Sequence, residues 1–121
     1  MEQEDRIDRS VLEEMFASIR SNTEWPIDGD MLWGYFFTDK DQAKLERAGQ
    51  ELEARGYRYV GILRPDGDDE DQETLYLHVE RVETHTVETL HRRNMELYDL
   101  AEELGLDTYD GMDVGPVAAW N

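Results

Sequence analysis

At residues 31–37 the chain reads MLWGYFF, an uncharged stretch with four aromatic side chains. The stretch stands out because 35% of all residues in the chain are charged. A continuous apolar run of this length, rich in aromatic residues, is typical of a strand that is buried on both faces. We therefore predict that residues 31–37 form the central strand of a sheet.

The segment before this strand has the spacing of an amphipathic helix. Over residues 8–21 the apolar side chains recur at three- and four-residue steps; they are Val11, Leu12, Met15, Phe16 and Ile19. Trp25-Pro26 then breaks the pattern. We predict that residues 1–30 are an acidic N-terminal segment with an amphipathic helix, and that residues 31–121 form the main domain.

The segment after the strand predicts a second helix. Thr38, with Asp41 three residues later, resembles a capping box that would open it. Gly56 stands where a glycine usually follows the last turn of a helix. Between them runs one apolar stripe of small and branched side chains: Leu45, Ala48, Gly49 and Leu52. We expect this stripe to pack on the sheet.

Two further strands and one further helix complete the pattern. Residues 57–64 and 74–82 alternate apolar and polar side chains, and the turn at 65–72 is short enough to join them as a hairpin. A helix is predicted from Thr86 to Gly105. The final element, 107–118, contains glycines and a proline, which predicts a short, interrupted edge strand.

The order after the first helix is β-α-β-β-α-β, which predicts an α+β fold of the ferredoxin-like, split β-α-β type. Two helices would cover one face of a four-stranded antiparallel sheet, and the N-terminal helix would be additional. In residues 74–82, Leu75, Leu77 and Val79 would face the helices, which places Tyr76 and His78 on the other face. The same alternation predicts Tyr57 and Tyr59 beside them.

This aromatic sheet face has three candidate covers. The N-terminal helix could fold over it, a second subunit or partner could bind it, or it could stack RNA bases. Stacking RNA needs flanking Lys and Arg, but the chain has 12 Lys and Arg against 30 Asp and Glu, a formal charge of −18. That charge repels nucleic acids and anionic membranes and attracts basic proteins. It also keeps a protein soluble, so acidity alone does not decide the partner.

Composition excludes several further classes of function. The chain has no cysteine, which excludes disulfides, Cys-based zinc sites and a Cys nucleophile. No export signal follows Met1, and no run of about 20 apolar residues is present. We expect a cytoplasmic protein without a membrane partner.

The densest charge run, DGDDEDQE at residues 66–73, holds six carboxylates. Asp66, Asp68 and Glu70 mimic the first ligands of an EF-hand loop, but Asp71 stands where that loop needs glycine and Leu77 where it needs glutamate. A calcium site is therefore not predicted. The run is interpreted either as a solvated hairpin loop or as a docking patch for basic side chains.

Motifs for catalysis and cofactors are absent from the sequence. His78, His85 and His91 have irregular spacing and are interpreted as ordinary surface or sheet residues. No Gly-x-Ser-x-Gly elbow and no glycine-rich phosphate loop occurs. We predict no catalytic residue, metal or cofactor, and a small enzyme with an unconventional carboxylate site is the remaining catalytic alternative.

Several short segments together resemble the RraB family, the regulators of ribonuclease E activity of type B. In order along the chain they are Phe36-Phe37-Thr38-Asp39, Leu52-Glu53-Ala54-Arg55-Gly56-Tyr57, the helix from Leu97 to Gly105, and Tyr109-Asp110-Gly111. The likeness covers residues 31–117. The family's Tyr-Asp-Gly-Trp reads Tyr109-Asp110-Gly111-Met112 in this chain.

The resemblance implies a ferredoxin-like fold and a non-enzymatic protein that binds ribonuclease E and restrains its cleavage of RNA. The hypothetical partner-binding residues are the six acids of the 66–73 run and the closing turn: Asp66, Asp68, Asp69, Glu70, Asp71, Glu73, Tyr109, Asp110 and Gly111. The partner would be ribonuclease E or another basic RNA-processing protein, without direct binding of nucleic acid. An immunity-type module that neutralises an unrelated basic protein is the alternative, and a homo-oligomer is also compatible with the sequence.

Overall fold

The computed structural model describes residues 7–64 and 74–117. These residues form three helices and four strands, in the order α1 (Arg9–Asn22), β1 (Met31–Asp39), α2 (Gln42–Ala54), β2 (Arg58–Leu63), β3 (Leu75–Glu83), α3 (Val87–Glu103) and β4 (Thr108–Gly115). The strands form one antiparallel sheet in the order β2-β3-β1-β4. The predicted α+β, ferredoxin-like fold with an additional N-terminal helix is confirmed.

Strand β1 is the centre of the sheet, as its uncharged sequence predicts. It pairs with β3 on one side and β4 on the other. All of its nine residues are buried except Phe36, which is half-buried. It runs two residues beyond the predicted end, through Thr38 and Asp39.

That extension makes one predicted helix cap wrong. Thr38 is a strand residue paired with Tyr76 and Thr108, so it cannot cap α2. Asp41 caps this helix instead, because its Oδ1 accepts hydrogen bonds from the backbone N–H groups of Ala43 and Lys44. A short polar residue at that position satisfies helix donors that have no partner inside the helix.

All three helices lie on the same face of the sheet. Helix α1 packs beside α3 rather than across the opposite face, and its buried Phe16 stacks on Trp33 of β1 with ring centroids 6.1 Å apart. Leu12 and Phe16 therefore join the same core as Leu45, Leu77 and Leu97. The first of the three candidate covers, α1 folded over the aromatic face, is wrong.

The predicted placement of Tyr57 and Tyr59 on the uncovered face is also wrong. Tyr59 pairs with Val79, a helix-facing position, and its ring lies against Gly49 of α2. Tyr57 is buried edge-on against Tyr35, with ring centroids 5.8 Å apart. The reason is the hairpin register, because a one-residue shift in pairing moves a side chain to the other face.

Gly105, two residues after the end of α3, has a backbone conformation that residues with a side chain rarely adopt. Gly105 has a φ of +74°, which costs a side-chain-bearing residue about 1 kcal/mol, and a Cβ there would meet nothing within 4 Å. Gly105→Ala is therefore expected to lower the free energy of unfolding by about 1 kcal/mol, measured in urea. Gly115 has equally open surroundings without positive φ. Equal losses for Gly105→Ala and Gly115→Ala would contradict this account.

None of the helices in residues 7–64 and 74–117 is long and apolar enough to cross a membrane.

Candidate functional site

The face of the sheet opposite the three helices carries the residues of the candidate site, and we call it the open face. Side chains from all four strands reach it, because alternate residues of a strand point to the same side. Pairing arranges them in three rows from β4 to β2: Thr108, Thr38, Tyr76 and Leu63; Gly111, Phe36, His78 and Gly61; Asp113, Gly34, Glu80 and Arg58. The prediction that Tyr76 and His78 share this face is confirmed.

The middle row places a stacked pair of rings between two glycines. Phe36 and His78 stack with ring centroids 4.4 Å apart and an interplanar angle of 16°. Gly111 lies beside Phe36, and Gly61 lies beside His78. Since neither glycine carries a side chain, the stacked pair is flanked by backbone on both sides.

The third row brings charged side chains together above another glycine. A Cβ on Gly34 would lie 2.5 Å from Asp113 Oδ1 and 2.9 Å from His78 Nε2, so both side chains lean over this position. Glu80 Oε2 is 4.0 Å from His78 Nε2, and Glu80 Oε1 is 3.4 Å from Arg58 Nε. The third row therefore carries two carboxylates and one arginine, and His78 of the middle row lies beside them.

A cleft of about 570 Å³ opens on this face next to the Phe36 and His78 pair. Most of its lining is apolar, and one carboxylate borders it; the lining residues are Ile7, Phe36, Leu63, Tyr76, Asp110, Gly111 and Met112. Leu63 is 50% exposed. An apolar concavity of this size is the usual form of a binding site on a protein surface.

The sequence-predicted site residues are distributed unevenly relative to this cleft. Asp110 and Gly111 line it, whereas Tyr109 is only 2% exposed and packs in the core against Phe37 and Tyr98. Asp66, Asp68, Asp69, Glu70, Asp71 and Glu73 lie outside the described residues. The segment that holds them connects β2 to β3, next to Leu63 and Tyr76 in the chain.

Tyr109 supports the fold through its hydroxyl. It donates a 2.6 Å hydrogen bond to Oδ1 of Asn94, a fully buried residue of α3. Burial raises the pKa of the Tyr109 phenol. The amide of Asn94 in turn lies 3.5 Å from Met112 Sδ, so the polar residue on the apolar stripe of α3 anchors β4.

Tyr109→Phe is therefore expected to lower the free energy of unfolding by about 1–2 kcal/mol, because Asn94 loses a buried donor. Urea denaturation measures the loss. Asp110→Asn, at the neighbouring exposed position, is the matched control and is expected to stay within about 0.5 kcal/mol of the wild type. An unchanged stability of Tyr109→Phe would contradict the assigned role of this hydroxyl.

A second polar cluster lies on the helix side, at the end of β3. Glu83 Oε2 accepts a 2.7 Å hydrogen bond from the hydroxyl of Tyr35 and lies 3.2 Å from His85 Nε2. Glu83 Oε1 accepts a 2.6 Å hydrogen bond from Arg93 Nη2. Trp33 closes the cluster by donating its indole N–H to the Glu83 backbone carbonyl at 3.2 Å.

These contacts hold Glu83 in its charged form. Burial by itself would raise the pKa of the carboxyl, but hydrogen bonds with His85, Tyr35 and Arg93 lower the pKa to about 2. Burial, with the charge of Glu83 beside it, raises the pKa of the Tyr35 hydroxyl far above its ordinary range. Glu83 is thus a charged carboxylate that accepts hydrogen bonds from a neutral hydroxyl and a cationic guanidinium. This arrangement stabilises the fold.

No sequence pattern predicts this cluster, because its members come from β1, β3 and α3. The interpretation of His85 as an ordinary surface or sheet residue is wrong, since His85 is 5% exposed and packs edge-on against Trp33. One signal is available in hindsight. Tyr35 lies on a strand buried on both faces, and a buried hydroxyl needs a partner.

Arginines beside this cluster line a shallow pocket of about 230 Å³ around Tyr57. Arg81 and Arg93 place their guanidinium carbons 5.2 and 5.7 Å from the centre of the Tyr57 ring. Each arginine is matched by a carboxylate: Arg55 by Glu51, Arg93 by Glu96 and by Glu83, which also lies near Arg81. The pocket is electrically balanced and carries no case for an anion site.

Within residues 7–64 and 74–117, no group of three or more His, Asp or Glu side chains is placed to hold a metal ion. The described surface offers an apolar cleft with one carboxylate, Asp110, in its lining, a form that suits contact with a complementary surface.

Comparison with known proteins decides the family. The family model described as "Regulator of ribonuclease activity B" matches residues 9–114. This chain belongs to the RraB family. The matched range runs from the first residue of α1 into β4. It therefore includes the N-terminal helix as well as the open face.

A search of curated proteins found no match to the chain. Membership of the RraB family supports regulation of ribonuclease activity as the general function, and it implies a protein partner.

Proposed function

We propose that this RraB-family protein is a non-enzymatic inhibitor of an endoribonuclease of the ribonuclease E type. It acts in the cytoplasm by protein–protein binding and so slows RNA turnover. The observation that carries the proposal is the family match over residues 9–114. Charge supports the mode of action, because a protein of net charge −18 attracts the basic surfaces with which ribonucleases hold RNA.

The mechanism follows from competition for those basic surfaces. Phosphate contacts supply most of a protein's affinity for RNA and depend on Lys and Arg. The carboxylates of Asp66, Asp68, Asp69, Glu70, Asp71 and Glu73, with Asp110 beside the cleft, would pair with such side chains. A ribonuclease whose basic segment is bound in this way has a lower affinity for RNA.

Direct binding tests the proposal. Purified ribonuclease E from the same organism is immobilised, and the affinity of this protein is measured by biolayer interferometry at increasing salt. Binding is expected at low salt and is expected to weaken as salt rises, since the Debye length falls from about 30 Å at 0.01 M to about 10 Å at 0.1 M. Failure to bind at any salt concentration would overturn the proposal. Capture of an unrelated basic protein, such as a toxin, would support the immunity-type alternative instead.

A further inference from the structure

The cleft on the open face has the shape and the apolar lining of a binding site. Its walls are the rings of Phe36 and Tyr76 and the side chains of Leu63 and Ile7. Gly111 lies beside Phe36 in the sheet and adds backbone to the lining of the cleft. The volume of about 570 Å³ falls within the roughly 300–1,000 Å³ of typical binding pockets. It is large enough for a bulky side chain together with part of its neighbours.

Charge restricts what the occupant can be. A second copy of this chain would bring a further charge of −18 against the same surface, and RNA would bring phosphates. Both are repelled. Asp110 lines the cleft, and the row of Asp113 and Glu80 lies on the far side of Phe36 and His78. A segment that carries Lys or Arg around an apolar residue complements this surface in both respects.

We propose that the cleft takes one bulky apolar side chain, an aromatic residue above all, from a positively charged segment of the protein partner. The inference deepens the proposed function and rests on it. The anchor side chain buries its apolar surface against Phe36, Tyr76 and Leu63, while flanking basic residues face Asp110 and Asp113. Interfaces concentrate their affinity in such buried aromatic anchors with a polar rim.

The anchor and the rim respond differently to salt. Burial of an apolar side chain does not weaken with ionic strength, whereas pairing of exposed charges does. The cleft therefore sets the part of the affinity that survives at high salt. The acidic residues set the part that salt removes.

A peptide titration of the full chain tests the cleft without the ribonuclease. The probes are two peptides of roughly nine residues, rich in Lys and Arg, with Trp or Ala at the centre. Binding is followed by amide chemical shifts in ¹⁵N-labelled protein. The Trp peptide is expected to bind about 10-fold more tightly than the Ala peptide, which corresponds to about 1.4 kcal/mol. The affected amides are expected to be those of residues that line the cleft, Phe36, Leu63, Tyr76 and Gly111.

Variants make the assignment specific. Leu63→Ser combined with Tyr76→Ser is expected to abolish the preference for Trp, and Leu63→Ser alone is expected to reduce it. Leu63 is half exposed, so its single variant preserves the fold. Val11→Ser is the matched control, because Val11 is 52% exposed on α1, on the helix side of the sheet. It is expected to retain the full preference.

The results that would overturn the cleft are distinct from those that would overturn the proposed function. Equal affinity for both peptides, or shifts confined to the helices, would remove the anchor site. Shifts of the same amides on concentrating the protein alone would assign the cleft to a second copy, and shifts with single-stranded RNA would assign it to RNA. Peptide binding in the cleft without binding of ribonuclease E would overturn the proposed target and leave the cleft intact.

Discussion

Glu83→Ala is expected to lower the free energy of unfolding by about 3 kcal/mol, more than the loss expected for Tyr109→Phe. Removal of the carboxylate leaves the guanidinium of Arg93 without its 2.6 Å acceptor and the hydroxyl of Tyr35 without its 2.7 Å acceptor. Tyr35 is fully buried, and Arg93 is half-buried with 21% of its side chain exposed. Urea denaturation monitored by circular dichroism measures the loss.

Glu96→Ala is the matched control for this substitution. Glu96 also accepts a hydrogen bond from Arg93, at 2.8 Å, but its side chain is 61% exposed. An exposed pair contributes under about 1 kcal/mol. If Glu83→Ala cost no more than Glu96→Ala, the cluster around Glu83 would not be a major source of stability.

The contribution of Glu83 is expected to disappear in acid. Its pKa is lowered from 4.5 to about 2 in the folded protein. Between these values the unfolded chain binds the proton first, so stability from this group is complete above about pH 4.5 and falls towards pH 2. The difference in unfolding free energy between the wild type and Glu83→Gln isolates this group, because the other carboxyls titrate in both proteins. A difference that stays constant from pH 5 to about pH 2 would contradict the assignment.

Neutralisation of the 66–73 run is expected to weaken binding to ribonuclease E by about 30-fold at low salt, roughly 2 kcal/mol. The variant replaces Asp66, Asp68, Asp69 and Asp71 with Asn, and Glu70 and Glu73 with Gln. Because the lost attraction is one between exposed charges, the two proteins are expected to bind with similar affinity at about 0.5 M salt. Biolayer interferometry at several salt concentrations measures both effects.

An equal change of charge elsewhere controls for the net charge of −18. Six exposed glutamates of the helices and the loop after α1 serve this purpose when changed to Gln: Glu13, Glu14, Glu24, Glu46, Glu53 and Glu103. If position matters, this control loses less affinity than the 66–73 variant. Equal losses would mean that only the overall field attracts the ribonuclease.

The layout of the fold could be predicted from the sequence because each element carries its own signal. The uncharged run at 31–37 marks the central strand, and Thr86 caps α3 with Thr89 in a reciprocal capping box. The prediction that Thr38 caps α2 was wrong. Thr38 and Asp41 are both suitable capping residues, and the local sequence does not show where β1 ends. Asp41 caps α2 because β1 continues its pairing through Asp39.

Prediction of the side-chain faces was less successful because it depends on register between strands. Residues 75–79 alternate cleanly, so the sequence places Tyr76 and His78 correctly. Tyr59 pairs with Val79, but the next pair joins Gly61 to His78, so one residue of β2 is left over at Val60. Such a bulge changes which residues share a face, and alternation alone cannot locate it.

The candidate site, too, could be predicted from the sequence only in part. Asp110 and Gly111 could be singled out as part of a motif, but the cleft that they line also needs Phe36, Leu63 and Tyr76 from three other strands. Glu83, His85 and Arg93 likewise meet only when β3 and α3 pack together. Contacts of this kind are long-range in sequence and are fixed by packing, not by local pattern.

We propose that this RraB-family protein restrains a ribonuclease by binding it. Cleavage of a fluorogenic RNA by purified ribonuclease E, at low salt and with increasing amounts of this protein, measures this effect. The initial rate is expected to fall with added protein and to level off once the ribonuclease is bound, and this protein alone is expected to leave the RNA intact. An unchanged rate at saturating protein, or cleavage of the RNA by this protein alone, would contradict this proposal.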